Sequence, residues 1–533
     1  MSRTPRTTCL ALLCVASAAA RLPAQSSLEV VVHEQKINES VGGFTGPLDE
    51  TAGFGSRLAR LHDLDGNGVD DLAVGAGDWD DARGALWILL LNADGTVLAE
   101  QQISEGVGGF EVELPFGNTR FGIALAPLGD FDGDGVDDLA VGSEQPAQVW
   151  LLMLNRDGTV KSWIEVPLLE QLGVGAIEMS LDNVGDLDGN GVVDLAFASP
   201  FSSAFAIGSA FLLFLDTDGS LLSHAPIGTW GLASPNRIGS VGDLDGNGVI
   251  DVGLIDHDGI AIFSYRLNIL FLAPGGSVLS SQVIAEGQGG FTGAGPLKPS
   301  GVTSLGDLDH DGVPDLAVGT EPNGTGGVWI LYMNADGTVR SHDRIAYGEG
   351  GFTGTFDPSD PDDDFGFSVA CLDDLDGDGT VELAAGTPGD GLGPFITGES
   401  PGAVWILSLD DTWFDLGKSL AGVSGAPLLV GTGSLVAGSP GALTLSNAKA
   451  STICTLHVSL SSTPAAFKGG QLVAFPPVLN LPLVTGAGGT LALSFLWPAG
   501  LPAGTPLWLQ YSIADPAAIN KVSLSNALKA VQP

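Results

Sequence analysis

His62–Gly77 reads HDLDGNGVDDLAVGAG: Asp63, Asp65, Asn67, Asp70 and Asp71 fall within nine positions, and the apolar Leu72-Ala73-Val74 follows at once. So much like charge beside an apolar segment is unfavourable unless something neutralises it. The pattern returns five times, as GDFDGDGVDDLAVG at 129–142, GDLDGNGVVDLAFA at 185–198, GDLDGNGVIDVGLI at 242–255, GDLDHDGVPDLAVG at 306–319 and DDLDGDGTVELAAG at 373–386. Counted from the first Asp, side-chain oxygens stand at positions 1, 3, 5 and 9, glycine at 6, and an apolar pair starts at 10.

That spacing suits a hard cation. Ca²⁺ takes about six to eight oxygens, and alternate residues of a tightly curled loop can aim several of them at one centre. Position 7 offers its backbone carbonyl, and the position-9 carboxylate can close the shell with both oxygens. The candidate ligands are Asp63, Asp65, Asn67, Val69 and Asp71; Asp130, Asp132, Asp134, Val136 and Asp138; and Asp186, Asp188, Asn190, Val192 and Asp194. The later loops supply Asp243, Asp245, Asn247, Val249 and Asp251; Asp307, Asp309, Asp311, Val313 and Asp315; and Asp374, Asp376, Asp378, Thr380 and Glu382. About six Ca²⁺ ions are expected. EF-hand and dockerin loops share the opening but close with an acidic residue at position 12, which here is Val74, Val141, Phe197, Leu254, Val318 or Ala385. Each loop therefore runs into a buried strand and not into a helix.

The motif FG-x-x-L-A-x-x-x-D-x-D-G-x-G-x-x-D-L-A-V-G resembles the FG-GAP repeat of integrin α-subunit propellers. It is almost complete at 54–75, 121–142 and 365–386, lacks Phe-Gly in the third, fourth and fifth copies, and has Glu382 at the closing position of the sixth. The resemblance implies an all-β chain with an integrin-α-like β-propeller. It also implies calcium loops on a lower face and ligand contacts on an upper face, at 78–81, 143–147, 200–207, 256–258, 321–326 and 388–401. Six blades are counted, with a degenerate seventh as the alternative.

The remainder of each repeat fits a four-stranded blade. An apolar strand follows each loop, for example ALWILLLN at 85–92 and VWILYMN at 328–334, and several then turn through Asp-Gly at 94–95, 157–158, 218–219 and 336–337. First aspartates are 67, 56, 57, 64 and 67 residues apart, one blade each. The sixth repeat lacks a fourth strand, while 28–44 matches the end of a preceding repeat at 97–110, so the N-terminal strand is expected to complete the last blade. The recurrent E-G-x-G-G-F at 105–110 and 286–291 reads as a tight crossing between blades, its Phe packed between them.

Composition agrees. The chain has 533 residues, 78 of them Gly, and 63 acidic against 20 basic residues. Nucleic acid and anionic membranes are repelled, cations attracted, and the loops are expected to lack nearby basic groups. Arg3, Arg6 and the apolar run 9–20 read as an export signal over 1–24, so the mature chain is expected to be secreted, at the cell surface or free, with no transmembrane segment. The propeller is assigned to 27–410. Over 411–533 acidic residues almost vanish and short alternating segments such as STICTLHVSL and TLALSFLW predict a β-sandwich. Cys371 and Cys454 are expected to be free thiols.

Catalytic patterns are weak. Gly398 to Gly402 matches G-x-S-x-G, but Pro401 and a strand follow it. The expected function is a non-enzymatic, calcium-binding adhesion module for an extracellular protein or glycan. The alternative is an accessory or catalytic part of a polysaccharide lyase or hydrolase.

Overall fold

The computed structural model describes residues 30–114, 118–145, 147–168, 179–200, 209–227, 234–257, 265–293, 297, 299–308, 311–320, 326–354, 364–377, 380–390, 401–409, 413–415, 418–432, 440–497, 506–518 and 521–531. The export signal lies outside them, and the chain divides into two compact units, essentially 30–409 and 410–533.

Among the described residues the first unit has six four-stranded antiparallel sheets. Blade one runs Arg57–Leu61, Asp71–Ala76, Ala85–Leu91, Val97–Ile103. Blade two runs Ala124–Gly129, Asp138–Ser143, Gln148–Leu154, Val160–Val166, and blade three Ser180–Asn183, Leu195–Ser199, Ser209–Leu215, Leu221–Pro226. Blade four is Ser234–Gly242, Asp251–His257, Tyr265–Leu272, Val278–Ile284, and blade five Pro299–Ser304, Leu316–Thr320, Gly327–Met333, Val339–Ile345. Blade six takes Val369–Cys371, Val381–Thr387 and Ala403–Leu409 from its own repeat and its outer strand, Val31–Ile37, from the N-terminus. That strand pairs antiparallel with 404–409, so ring closure occurs where the sequence places it. The first strand of every blade lies beside the next around one axial cavity, and that of blade six beside that of blade one.

Burial follows position in the blade. Ala85–Leu91, sandwiched between neighbouring blades and flanked by strands on both sides, is buried at all seven residues, while the outer Val97–Ile103 keeps only its ends inside. This is why third strands are continuously apolar and fourth strands polar.

The Phe-Gly and closing Gly of the repeat meet across the blade boundary. A Cβ on Gly75 would sit 2.3 Å from the Gly122 carbonyl oxygen, and one on Gly386 would sit 2.0 Å from that of Gly55. Bare backbone is required where two blades touch. The E-G-x-G-G-F crossing has the expected structural role. Phe110 stacks on Phe121 at 4.7 Å and meets Trp150 edge-on, and Phe291 meets Trp329 edge-on; in the related Y-G-E-G-G-F crossing at 347–352, Phe352 stacks on Phe365 and meets Trp405 edge-on.

In the second unit, strands Trp413–Asp415, Val522–Val531, Pro506–Ala514, Ile453–Ser459 and Leu479–Val484 form one sheet and Leu428–Thr432, Pro440–Ser446 and Leu491–Leu496 another. One core holds Leu443 and Leu445 of the smaller sheet with Leu456, Leu509 and Leu528 of the larger. It is a β-sandwich. Cys371 and Cys454 are free thiols.

Candidate metal centres

Each acidic loop joins the first and second strands of a blade, and its ninth residue stands at the start of the second strand: it opens or directly precedes it in blades one to five and is its second residue in blade six. Asp71, Asp138, Asp194, Asp251 and Asp315 are all fully buried there. One carboxylate oxygen accepts the backbone N–H of loop position 2: Leu64, Phe131, Leu187, Leu244 or Leu308, at 2.9–3.0 Å. The other accepts the N–H that ends the third strand, from Leu91, Leu154, Leu215, Leu272 or Met333, again at 2.9–3.0 Å. Glu382 reaches the equivalent Leu375 N–H with its longer side chain. The structure adds a role the sequence does not reveal. Position 9 is also a fold clamp: each of its oxygens already accepts a backbone N–H, and in Asp138 one oxygen accepts two, from Phe131 and Asp132.

Burial raises these carboxyls, Asp71 to about 7 and Asp138, Asp194 and Asp251 to about 6. Position 1 curls the loop. Asp63, Asp130, Asp186 and Asp243 accept the N–H of the position-6 glycine, at 2.7–2.9 Å. Position 5 is Asn in loops one, three and four for a visible reason. Its Oδ1 accepts the position-7 N–H, and its Nδ2 donates to the carbonyl ending the third strand, as Asn67 does to Leu91 and Asn190 to Leu215.

Among the described residues, four loops bring three carboxylates together with one oxygen from each within 4.8 Å: Asp130, Asp132 and Asp138; Asp186, Asp188 and Asp194; Asp243, Asp245 and Asp251; Asp374, Asp376 and Glu382. Asp63, Asp65 and Asp71 of the first loop do not converge so closely. Asp309 of the fifth and Asp378 of the sixth lie outside the described residues. An all-oxygen donor set of two exposed or half-buried carboxylates, one buried carboxylate and an amide or carboxylate oxygen fits a hard divalent cation.

The expectation that no basic group stands near the loops is wrong. Lys161, on the outer strand of blade two, contacts both Asp132, at 2.6 Å, and Asp134. Its ammonium holds the Asp134 carboxyl below the usual range. Arg60 joins Asp70, at 2.6 Å, to Asp373 of blade six across the seam where the ring closes. His62 pairs with Asp137 of blade two, a hydrogen bond that raises the imidazole. Sequence spacing cannot reveal Lys161, because it lies 27 residues beyond Asp134 and reaches it only through strand order.

Of the upper-face loops, 201–207, 321–325 and 391–400 lie wholly outside the described residues, as do Pro146 and Asp258. Asp78 pairs with Arg120, while Asp80 and Asp81 adopt left-handed backbone at φ 51° and 55°. Asp256 is buried against Arg266.

An FG-GAP-like repeat model matches 130–197, and the FG-GAP repeat model matches 301–331 and 365–407. The chain therefore carries FG-GAP repeats, and its first unit is an integrin-α-like β-propeller. It is 31% identical to integrin alpha-4 of Xenopus laevis over 168 residues, 30% of this chain and 15% of that protein. With integrin alpha-5 of Xenopus laevis it shares 35% over 97 residues, 18% of this chain and 9% of that protein. Thus the chain spans a small fraction of the length of these relatives. The solved Dos1 propeller aligns at 12% identity and a TM-score of 0.33, covering 65% of this chain and 77% of that one. No helix among the described residues is long and apolar enough to cross a membrane.

Proposed function

We propose that this is a secreted, calcium-stabilised propeller that binds an extracellular protein or glycan and does no chemistry of its own. The observation that carries the calcium reading is the convergence of three carboxylates in four separate loops. Positions 1, 3, 5 and 9 would hold each ion with the position-7 carbonyl. The ion would supply the positive charge that lets these carboxylates share one centre. Asp71, Asp138, Asp194 and Asp251 clamp the loop onto the third strand, so an ion held there locks the blade edge that faces the neighbouring loops. Likeness to integrin α propellers supports a binding role, with protein ligands the first class to test.

Titration calorimetry of metal-stripped full-length protein should show tight binding of at least four Ca²⁺ ions. Fewer would reject the assignment. Calcium-dependent retention on an array of extracellular-matrix proteins and polysaccharides would identify the ligand class.

One observation bears on the enzymatic alternative. In the second unit His457 Nε2 lies 2.8 Å from Ser512 Oγ, and its Nδ1 lies 2.6 Å from Asn480 Oδ1. Burial lowers the pKa of this imidazole. Hydroxyl, imidazole and orienting amide stand in the order of a nucleophilic triad. Yet Ser512 lies mid-sheet, with strands paired on both sides, where the ladder uses the backbone N–H groups an oxyanion would need. We read it as a cross-strand polar ladder. Labelling of Ser512 by a fluorophosphonate would overturn that reading.

A further inference from the structure

Every outer strand of the propeller carries one extra residue at the same place. In blade two Met153 faces Ser162 and Leu154 faces Val160, so Lys161 stands in a β-bulge. The same shift puts Leu98, Leu222, Leu279 and Arg340 in the bulges of blades one, three, four and five, and Val32 in that of blade six. In blades one to five the bulge lies beside the last residue of the third strand, Leu91, Leu154, Leu215, Leu272 or Met333, whose N–H the position-9 carboxylate accepts. A bulge re-aims its side chain, and in blade two it carries Lys161 to the acidic loop.

What occupies the bulge follows position 5 of the loop. Loops one, three and four have Asn67, Asn190 and Asn247 there, and their bulges hold leucine. Loops two and five have Asp134 and Asp311, and their bulges hold Lys161 and Arg340. Loop six, with Asp378 and Val32, is the exception. In loop two the contact is direct: Lys161 Nζ lies 2.6 Å from Asp132 Oδ2 and also contacts Asp134 Oδ2. The other oxygen of each already accepts a backbone N–H, Asp132 Oδ1 that of Asp134 and Asp134 Oδ1 that of Val136. Every oxygen at positions 3 and 5 is thus engaged. Arg156 adds a second cation, its Nη2 donating to the Gly135 carbonyl at 3.4 Å. Among the described residues the converging carboxylates of loops three and four make no ion pair, and Leu222 and Leu279 stand exposed in their bulges.

From this pairing we infer that Lys161 is the resident cation of loop two and sets its calcium affinity at least tenfold below that of loops three and four. The inference rests on the reading of these loops as calcium sites. An ammonium is a compact point charge with three donors, so a divalent ion entering the loop must displace it or bear its repulsion at a few ångströms. The charge that Asp134 adds over Asn190 or Asn247 brings no net gain, because Lys161 cancels it. Loops three and four lack that competitor. Loop two therefore fills after them, as calcium rises past the level that saturates both.

Titration calorimetry of metal-stripped full-length protein with Ca²⁺ separates the sites when one carboxylate is removed at a time. Asp188→Ala and Asp245→Ala should each remove one site from the tight phase. Asp132→Ala should leave that phase intact and remove a site at least tenfold weaker. Lys161→Leu, which installs the residue that blades three and four carry at this place, should tighten loop two at least tenfold and lower the Tm in EDTA, while Lys161→Arg should keep the loop weak. A merely structural Lys161 would lower the Tm in either buffer without moving an affinity. Lys161→Gln serves should the leucine variant fail to fold, and the three aspartate variants need neither. Loss of a tight site in Asp132→Ala, or unchanged loop-two affinity in Lys161→Leu and Lys161→Gln, would overturn the inference and leave the calcium reading standing. No calcium binding by the wild type would overturn both.

Discussion

Asp138 shows how one residue type serves two demands at different positions of a loop. Its oxygens accept the N–H groups of Phe131 and Leu154, both drawn from chain that would otherwise bury unpaired donors. Asp134, four residues earlier, is exposed and contacts Lys161. Asp138→Ala should therefore lose about 2–4 kcal/mol of stability in EDTA, where only the clamp is lost, and more in calcium, where a ligand goes with it. Asp134→Ala should lower the Tm in calcium only. Melts of both variants in both buffers check this, and a D138A defect confined to calcium would mean the clamp is unimportant. A second residue-scale outcome concerns pH. Burial raises Asp343 on the outer strand of blade five to about 6, against the hydrogen bond it receives from Tyr332. A raised folded pKa means the folded state holds the proton longer. Stability linked to Asp343 is complete below about pH 4, the unfolded value, and falls as pH rises to about 6. Asp343→Asn keeps the acceptor for Tyr332 and should stabilise at pH 7.5 by on the order of 1–3 kcal/mol, with no gain at pH 4. Chemical denaturation at the two pH values measures it.

Elements meet in this propeller through backbone as much as through side chains. Gly75 lies inside a strand and its φ is not positive, so any L-residue suits its conformation; what forbids a Cβ is the Gly122 carbonyl oxygen at 2.3 Å. Gly301 is also a strand glycine, yet its nearest neighbour would be a Val369 methyl at 3.5 Å, an ordinary contact. Gly75→Ala should cost about 3 kcal/mol or more by prising blades one and two apart, whereas Gly301→Ala should be tolerated within about 1 kcal/mol. Equal denaturation midpoints for the two variants would contradict the close-approach explanation. The repeats without Phe-Gly fill the same boundary differently. Met179 lies at 2.4 Å from a Cβ built on Gly142, so blade three substitutes a flexible side chain for the aromatic.

At the scale of the whole molecule, the ring is held shut by the N-terminal strand. Deleting residues 25–37 exposes the ladder of Val404–Leu409, so the variant should aggregate, and a monomer of wild-type stability would show that closure does not depend on it. Calcium should act on one unit only. Ions that bind the folded state stabilise it by mass action, and every acidic repeat lies in the propeller. EDTA should lower its melting transition and leave that of 410–533 unmoved, a pattern calorimetry resolves. Local chemistry repeated at fixed spacing was legible in the sequence by itself: six loops, the turn into a buried strand, the blade count, and the strand missing from blade six. These follow from short-range rules, because loop ligands, Asp-Gly turns and alternation act within a few residues. What only the tertiary structure decided involves partners brought together by the ring. Lys161 reaches Asp132, Arg60 bridges blades one and six, and position 9 clamps a strand 16 to 21 residues away. Each of these depends on strand order and curvature, which bring distant residues within a few ångströms. No spacing along the chain encodes that distance.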